Sequence, residues 1–150
     1  MTNAEQSKKA AQDGERECCQ RTNDRALALV TARFLATHRL FFLLNLLQLA
    51  VCLRIFANFA VIAGFLAAFA ALFYLHVRLH FDALIFKDFA DERLGQGEFD
   101  AGLLELNLTS KPPKIRDMKS RCAGAIGLYK LTATLTIVVA AAALAGYYMG

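Results

Sequence analysis

The chain has 150 residues, of which 57% are hydrophobic and 20% are charged, and its mean hydropathy is +0.38. Soluble domains contain roughly 45 to 50% apolar and about 25% charged residues. The composition therefore excludes an ordinary soluble domain, and the formal net charge of +4 is expected to report membrane topology rather than nucleic-acid binding.

The N-terminal part of the chain is polar. Residues 1–24 lack apolar periodicity, so we expect a disordered tail. They also lack the apolar stretch of a cleaved signal peptide, and insertion should rely on internal helices. Residues 22–24 offer N-cap oxygens before an apolar pattern at helical spacing. This pattern predicts an interfacial lead-in helix, which together with a transmembrane hairpin occupies residues 25–77.

The first apolar stretch, residues 40–53, is shorter than the roughly 20 residues that a spanning helix needs, unless residues 34–39 extend it. The alternative is a re-entrant or interfacial helix, which would leave two spans. Asn45, Gln48 and Cys52 fall on one face of the predicted helix. Two interpretations remain for this face. It can form hydrogen bonds to a neighbouring helix, or it can line a path for a solute. We expect helix packing.

The second apolar stretch, residues 55–77, is long enough to span a bilayer. As one helix, residues 40–77 would measure about 57 Å, which exceeds the roughly 30 Å of hydrocarbon. A turn must therefore interrupt them. We place it at residues 54–58, because Arg54 is the only formally charged residue in the stretch and can reach a membrane surface there.

Small residues recur every four positions in two apolar stretches. Such spacing allows close approach of helices in lipid and predicts helix packing. The residues are Ala60, Gly64 and Ala68 in the second stretch, and Ala142, Gly146 and Gly150 in the third.

The central segment, residues 78–125, is polar, and its acidic first part precedes a basic second part. Apolar spacing predicts two short amphipathic helices, separated by Gly95 and Gly97. We expect their apolar stripe to bury against the membrane or a partner; it comprises Phe81, Ile85, Phe89, Leu103 and Leu106. The basic part can anchor topology, bind anionic lipid or pair with the acidic part; it contains Lys111, Lys114, Arg116, Lys119 and Arg121.

The third apolar stretch, residues 131–149, predicts a C-terminal transmembrane helix within residues 126–150. Orientation follows from basic residues in short flanks, since these stay on the cytoplasmic side. Arg33, Arg39, Arg78 and the basic part of the central segment lie on one side of the predicted membrane, and Arg54 lies on the other. We therefore expect a bacterial inner-membrane protein with a cytoplasmic N-terminus and a periplasmic C-terminus.

His76, His80 and Asp82 are the most metal-like group, because histidines at i and i+4 on a helix can share one ion. The alternative, which we favour, is a set of interfacial polar residues that ends a span. The sequence contains neither a P-loop nor an HExxH, GxSxG or similar catalytic motif. We therefore predict neither enzymatic activity nor a cofactor.

Three stretches carry a resemblance: RLHFDALIF at residues 78–86, FDAGLL at 99–104 and the basic region 115–128. With the hairpin before them, they make the chain similar to uncharacterised small bacterial inner-membrane proteins. The resemblance implies location and architecture only.

These patterns predict an all-α integral membrane protein with three transmembrane helices, a hairpin followed by a C-terminal span, and a short cytoplasmic helical segment. We expect a non-catalytic accessory subunit that docks a partner through this segment. The expected partners are the bilayer, including anionic lipids, and another membrane protein or a second copy of the chain. A holin-like pore former and a metal- or haem-binding subunit are the alternatives.

Overall fold

The structure is a computed structural model that describes residues 3–56, 58–107 and 117–149. Within these ranges the chain forms five helices and no strand, which confirms the predicted all-α fold. The helices are α1 (Asn3–Ala36), α2 (His38–Ile55), α3 (Phe59–Ala90), α4 (Gln96–Glu105) and α5 (Met118–Met149).

Helix α1 includes the polar N-terminal stretch that we expected to be a disordered tail. The predicted helix start at residues 22–24 is wrong, since these residues lie in the interior of α1. The hydroxyl of Thr22 donates to the carbonyl of Cys18 at 2.9 Å and caps nothing. The stretch is rich in Ala, Glu, Gln, Lys and Arg and has no proline, so helix propensity favours a helix without an apolar stripe.

Helices α1 and α2 are joined by one tight turn at Thr37. Its N–H donates to the carbonyl of Phe34 at 3.2 Å, and its own carbonyl accepts from the N–H of Leu40 at 3.0 Å. These are bonds across three residues, typical of a short 3₁₀ turn. The predicted lead-in helix and the first span thus follow each other without a loop.

The predicted turn between the first two spans is confirmed. Helix α2 ends at Ile55, Phe56 is extended, and Asn58 is the N-cap of α3. The side-chain oxygen of Asn58 accepts from two N–H groups of the first helical turn, at 2.9 and 3.5 Å. Asparagine is a preferred N-cap residue, so this side chain defines the start of α3 without glycine or proline.

Helix α3 continues well beyond the predicted end of the second span. It includes residues 78–90, which we expected to form a separate short helix. It ends just before Glu92, whose φ of 56° is left-handed. The second predicted short helix is α4, which begins after Gly95, where the Glu98 carboxylate accepts from the N–H of Gly95 at 2.8 Å. Gly97 lies inside α4.

The α1–α2 rod and α3 run antiparallel. At one end, the guanidinium of Arg25 lies 3.4 Å from the carboxylate of Glu92. At the other end, the rings of Phe56 and Phe65 stack with centroids 5.3 Å apart. The hairpin therefore extends from the polar part of the chain to the turn between α2 and α3.

Helix α5 lies against this hairpin and runs parallel to α1–α2. Near its start, the thiol of Cys122 contacts the carbonyl of Leu27 at 3.9 Å. Near its end, Gly146 lies so close to Phe56 that an added Cβ would be 3.0 Å from the phenyl ring. Three long rods thus lie side by side along most of the molecule.

Three helical stretches are long and apolar enough to cross a membrane: Gly14–Ile55, Phe59–Ala90 and Met118–Tyr148. Helices of 32 residues, such as α3 and α5, measure about 48 Å. The hydrocarbon layer of a bilayer is only about 30 Å thick, so part of each helix must extend beyond it.

Contacts between α2 and α3 define one boundary of the apolar region. The ring of His38 lies 5.9 Å from that of His76 and 5.7 Å from that of His80. His38 on α2 therefore lies at the height of the midpoint between His76 and His80 on α3. Since Arg39 and Arg78 neighbour these positions, the two exposed arginines lie at about the same height along their helices.

Helix α5 adds a third basic residue at the same height. The Thr37 hydroxyl donates to the carbonyl of Phe34 at 2.7 Å, and the Tyr129 hydroxyl, 2.8 Å away, therefore donates to Thr37. This bond places Lys130 at about the height of Arg39. We refer to the height shared by Arg39, Arg78 and Lys130 as the basic level.

The basic level divides the molecule into two regions. The head comprises α1, α4, α3 beyond Arg78 and α5 before Lys130. The apolar layer comprises α2 and the remaining parts of α3 and α5. The head has a conventional hydrophobic core, formed by Ala28, Ala32, Leu35, Leu79, Phe86, Phe89, Ala90, Met118, Cys122 and Ala125.

The predicted docking stripe does not lie on one surface. Phe89 is buried in the head core, and Ile85 packs against that core. Phe81 and Leu106 remain exposed, and Leu103 is half-buried. We predicted the stripe from the spacing of apolar residues within two short helices. Helix α1 extends farther than expected and covers part of the stripe.

Candidate functional site

A cluster of buried polar side chains lies between the three helices of the apolar layer and at its boundary. Each member is at most 5% exposed. We call this set the polar cluster; its members are His38 and Asn45 on α2, His76 on α3, and Thr132 and Thr136 on α5. Polar groups are costly to bury in lipid without partners, so their bonds determine what the cluster can do.

Asn45 is the centre of the cluster and connects all three helices. Its side-chain amide donates to Nε2 of His76 at 2.9 Å and to the hydroxyl of Thr136 at 3.2 Å. The Thr136 hydroxyl donates in turn to the carbonyl of Thr132 at 3.0 Å. Both N–H groups of the Asn45 amide are therefore used, and the three helices share one hydrogen-bond network.

The same network leaves two polar atoms unused. Because Nε2 of His76 accepts a bond, a neutral imidazole carries its proton on Nδ1. This Nδ1 is buried and has no hydrogen-bond partner, and the same holds for Oδ1 of Asn45. The cluster thus contains one free donor and one free acceptor. A third unpaired atom is the amide nitrogen of Gln48 on α2.

All three histidines of the chain meet at the basic level. Nδ1 of His38 donates to the carbonyl of Leu35 at 2.8 Å, His76 bonds Asn45, and His80 is exposed. Among the described residues, no group of three or more His, Cys, Asp or Glu side chains has an arrangement that could hold a metal ion. Asp82, the third predicted ligand, is half-buried in the head.

A groove of about 340 Å³ lies beside the polar cluster, between α2 and α3. Asn45 and His76 are its only polar lining residues. Phe42, Phe69 and Phe73 contribute aromatic rings, and Phe42 packs edge-on against the His76 imidazole with centroids 5.4 Å apart. The wall of the groove is almost entirely apolar and partly aromatic, because the unpaired atoms of Asn45 and His76 are themselves buried.

The residues predicted to pack helices have different positions. Asn45 and Cys52 are buried between helices, and Gln48 is half-buried. Two of the three predicted small residues of α3 are in open surroundings: Ala60 is exposed, and a Cβ at Gly64 would meet nothing within 4 Å. Their spacing is common by chance in an alanine-rich helix. Of the described glycines in these two patterns, Gly146 in α5 makes a close contact, which is with the phenyl ring of Phe56 and not with the backbone of another helix.

Of the other small residues predicted at four-residue spacing, Ala68 is half-buried and Ala142 is exposed, while Gly150 lies outside the described residues.

The residues predicted as lipid or topology anchors also differ in their surroundings. Arg33, Arg39, Arg78 and Lys119 are exposed. Lys111, Lys114 and Arg116 lie outside the described residues.

Arg121, which we predicted as a lipid or topology anchor, pairs with an acidic side chain. It forms a salt bridge with Asp100, in which both side chains are largely buried. Its guanidinium also lies 6.0 Å from the centroid of the Phe99 ring. The pairing of basic and acidic parts, which we had kept as an alternative, applies to this residue.

Sequence reasoning missed three members of the polar cluster: His38, Thr132 and Thr136. The two threonines are four residues apart in α5, which places them on one face, whereas Thr134 between them is exposed. This spacing was visible in the sequence. The meeting of His38 with His76 was not, because it depends on the register between α2 and α3.

Comparison with known proteins gives no relative. No protein-family model matches the chain, and neither the curated proteins nor the solved structures contain a match.

Proposed function

We propose that the chain is a three-span protein of the bacterial inner membrane, with the head in the cytoplasm and the C-terminus in the periplasm. One observation supports this most strongly: below the basic level, large apolar side chains cover the outside of the molecule. They include Leu43, Leu44, Leu47, Phe59, Phe73, Ile137, Val138 and Leu144. Such a surface is stable in lipid and prone to aggregate in water.

The distribution of basic side chains supports the orientation. Arg39, Arg78 and Lys130 lie at one height, and Arg33 is on the same side. The opposite end of the apolar layer carries Arg54. Basic residues near the ends of spans remain in the cytoplasm, so the head belongs there.

We further propose that the protein is a non-catalytic accessory subunit whose head docks another membrane protein. The head exposes apolar side chains among charged ones, near the membrane surface and farther from it. They are Val30, Phe34, Phe81, Leu84, Leu104 and Leu106. Exposed apolar patches rimmed by polar residues are common at protein interfaces.

Cysteine labelling tests the orientation. Cys18 and Cys19 are exposed in the head, whereas Cys52 and Cys122 are buried, so a variant with Cys52→Ser and Cys122→Ser reports on the head alone. We expect a membrane-impermeant maleimide to label it in inverted vesicles and not in intact spheroplasts. An alkaline phosphatase fused to the C-terminus should be active. Labelling in spheroplasts would overturn the orientation.

Photo-crosslinking in cells tests the docking role. A benzophenone amino acid at Leu84 or Leu106 should give one discrete cross-linked protein. The exposed residues Lys87 and Lys119 serve as control positions. Equal products at all four positions, or lipid adducts alone, would contradict docking. Loss of membrane potential on overexpression would instead favour the holin-like alternative.

A further inference from the structure

The three histidines of the chain form one cluster at the basic level. The ring centroid of His38 on α2 lies 5.9 Å from that of His76 and 5.7 Å from that of His80, both on α3. His38 and His76 are 5 and 3% exposed, whereas His80 is exposed. Histidine is the side chain whose charge ordinarily changes between pH 5 and 8. The cluster therefore combines two buried titratable rings with a third that water reaches.

The hydrogen bonds of this cluster fit neutral imidazoles. Nε2 of His76 accepts from the amide of Asn45 at 2.9 Å, so this nitrogen carries no proton. An added proton would place two donors opposite each other. The N–H of Nδ1 would also stay unpaired on a ring that is now charged, because this atom is buried without a partner. A charged His76 is therefore incompatible with the packing of α2 against α3 described above.

The charges around the cluster also oppose protonation. Among the described residues, no salt bridge includes a histidine. The first acid beyond the cluster on α3 is Asp82, which lies in the head and interacts with Arg78. The Tyr129 hydroxyl of α5 is bonded to Thr37. Two charged imidazoles would thus repel each other and the surrounding cations. These cations are Arg33 on α1, Arg39 on α2, Arg78 on α3 and Lys130 on α5.

Helix α2 is the element that can respond to this charge. It is connected by tight turns at both ends, at Thr37 and before Asn58, whereas α3 and α5 pass the basic level without a break. Its bonds to α3 and α5 include those of Asn45 to His76 and Thr136. Helix α1 is held separately by the head core. Helix α2 can therefore change its position against α3 while the head remains folded.

We propose that the three histidines form a proton-operated switch, which separates α2 from α3 at the basic level when the solution on the side of the head becomes acidic. At neutral pH the helices are closed as described above. In acid, His38 and His76 take up protons, and the bond from Asn45 is lost. The upper end of α2 then moves away from α3, while the turn at Asn58 holds its lower end. The switch applies to either orientation in the membrane and does not depend on docking by the head.

The sign of the pH dependence follows from linkage. Histidines of the unfolded chain titrate near pH 6.5 and bind protons in acid, whereas the closed arrangement holds His38 and His76 neutral. The unfolded state therefore binds more protons, and stability falls as the pH falls below about 6.5. Between about pH 7.5 and about pH 5, each histidine held neutral should raise the equilibrium constant of unfolding by up to about thirtyfold.

The first test measures this dependence by SDS titration of the full chain in micelles. His76→Gln keeps an acceptor for Asn45, and His38→Asn keeps a donor for the carbonyl of Leu35, but neither new side chain titrates. We expect the double variant to lose most of the pH dependence, whatever its stability at neutral pH. His80→Gln is the control and should keep most of it, since His80 is exposed. Equal pH dependence in the wild type and the double variant would overturn the proposal.

The second test keeps all three histidines and measures the movement of α2. Spin labels replace Leu40 on α2 and Val77 on α3, both exposed just below the basic level, in a chain whose cysteines are changed to alanine. Labels at Leu53 and Val61, near the turn, form the control pair. In phosphatidylcholine nanodiscs, acidification should increase the first distance and leave the second unchanged. An unchanged first distance, or an equal increase in both distances, would overturn the switch.

Discussion

The head and the apolar layer share helices α3 and α5 but differ in which side chains they bury. In the head, Leu79 and Phe86 are buried, and most charged side chains are outside, apart from the largely buried pair of Arg121 and Asp100. In the apolar layer, Asn45 and Thr136 are buried, while Leu47 and similar side chains cover the outside. Helix α3 passes from one region to the other without a break. The change occurs at the basic level, so the solvent, and not the helix, determines which side chains are buried.

The largest expected effect tests whether the head core resembles that of a soluble protein. Phe86 is 5% exposed and Phe81 is 54% exposed. Phe86→Ala should lower the free energy of unfolding by about 4 kcal/mol, because it leaves a cavity in a packed core. Phe81→Ala is the control and should cost less than about 1 kcal/mol. Both values come from SDS titration of micellar protein followed by helical ellipticity; equal losses would contradict a packed head.

The second prediction concerns the two ion pairs of the head. The side chains of Arg121 and Asp100 are only 13 and 14% exposed, whereas those of Arg25 and Glu92 are 57 and 60% exposed. Arg121→Ala leaves a largely buried carboxylate and should cost about 3 kcal/mol. Arg25→Ala should cost at most about 0.5 kcal/mol in the same titration. A similar cost for both would show that the Arg121 pair is solvated.

Substitutions at two positions of α2, three residues apart, should change the free energy of unfolding by smaller amounts and in opposite directions. Asn45→Leu breaks two hydrogen bonds between helices and should cost about 1 to 2 kcal/mol. Gln48→Leu removes a buried amide nitrogen that has no partner, and should stabilise the protein by up to about 1 kcal/mol. The free energy of unfolding of each variant, measured in nanodiscs, compares the two effects. A loss at Gln48 would mean that its amide is paired in the bilayer.

The smallest effect compares two glycines of α5. Gly127 lies in the head with open space around it, and alanine there should add about 0.5 to 1 kcal/mol through helix propensity. Gly146 contacts the Phe56 ring, and its replacement by alanine should give no gain because the ring must move. The difference in thermal midpoint between the two variants measures the closeness of the packing at that end of the layer.

The sequence predicted the features that depend on hydropathy and chain length. The three apolar helices and the turn at residues 54–58 follow from them, because no single helix of that length fits a bilayer. It missed the helical nature of the polar N-terminus, where propensity alone supports the helix. The sequence analysis also ended the second helix at Arg78, because a charged residue resembles the end of a membrane span. The span does end there, but helix α3 continues beyond the apolar layer.

The polar cluster could be predicted only in part. The spacing of Asn45 and Cys52 indicated a buried face, and spacing applied to α5 would have found Thr132 and Thr136. The bond between Asn45 and His76 could not be found this way, because register between helices depends on many weak contacts. For the same reason the partner of Arg121 could not be predicted, because Asp100 lies on another helix.

The turn at Asn58 has a consequence for biosynthesis. Under the proposed orientation, the translocation machinery must carry only the tip of the α2–α3 hairpin to the periplasm before α5 follows. Arg54 is the one formally charged side chain between Arg39 and Arg78, and it lies in the last turn of α2, where it can reach a membrane surface. The long apolar flanks of the hairpin favour insertion, so α2 and α3 are suited to enter the membrane together as one unit.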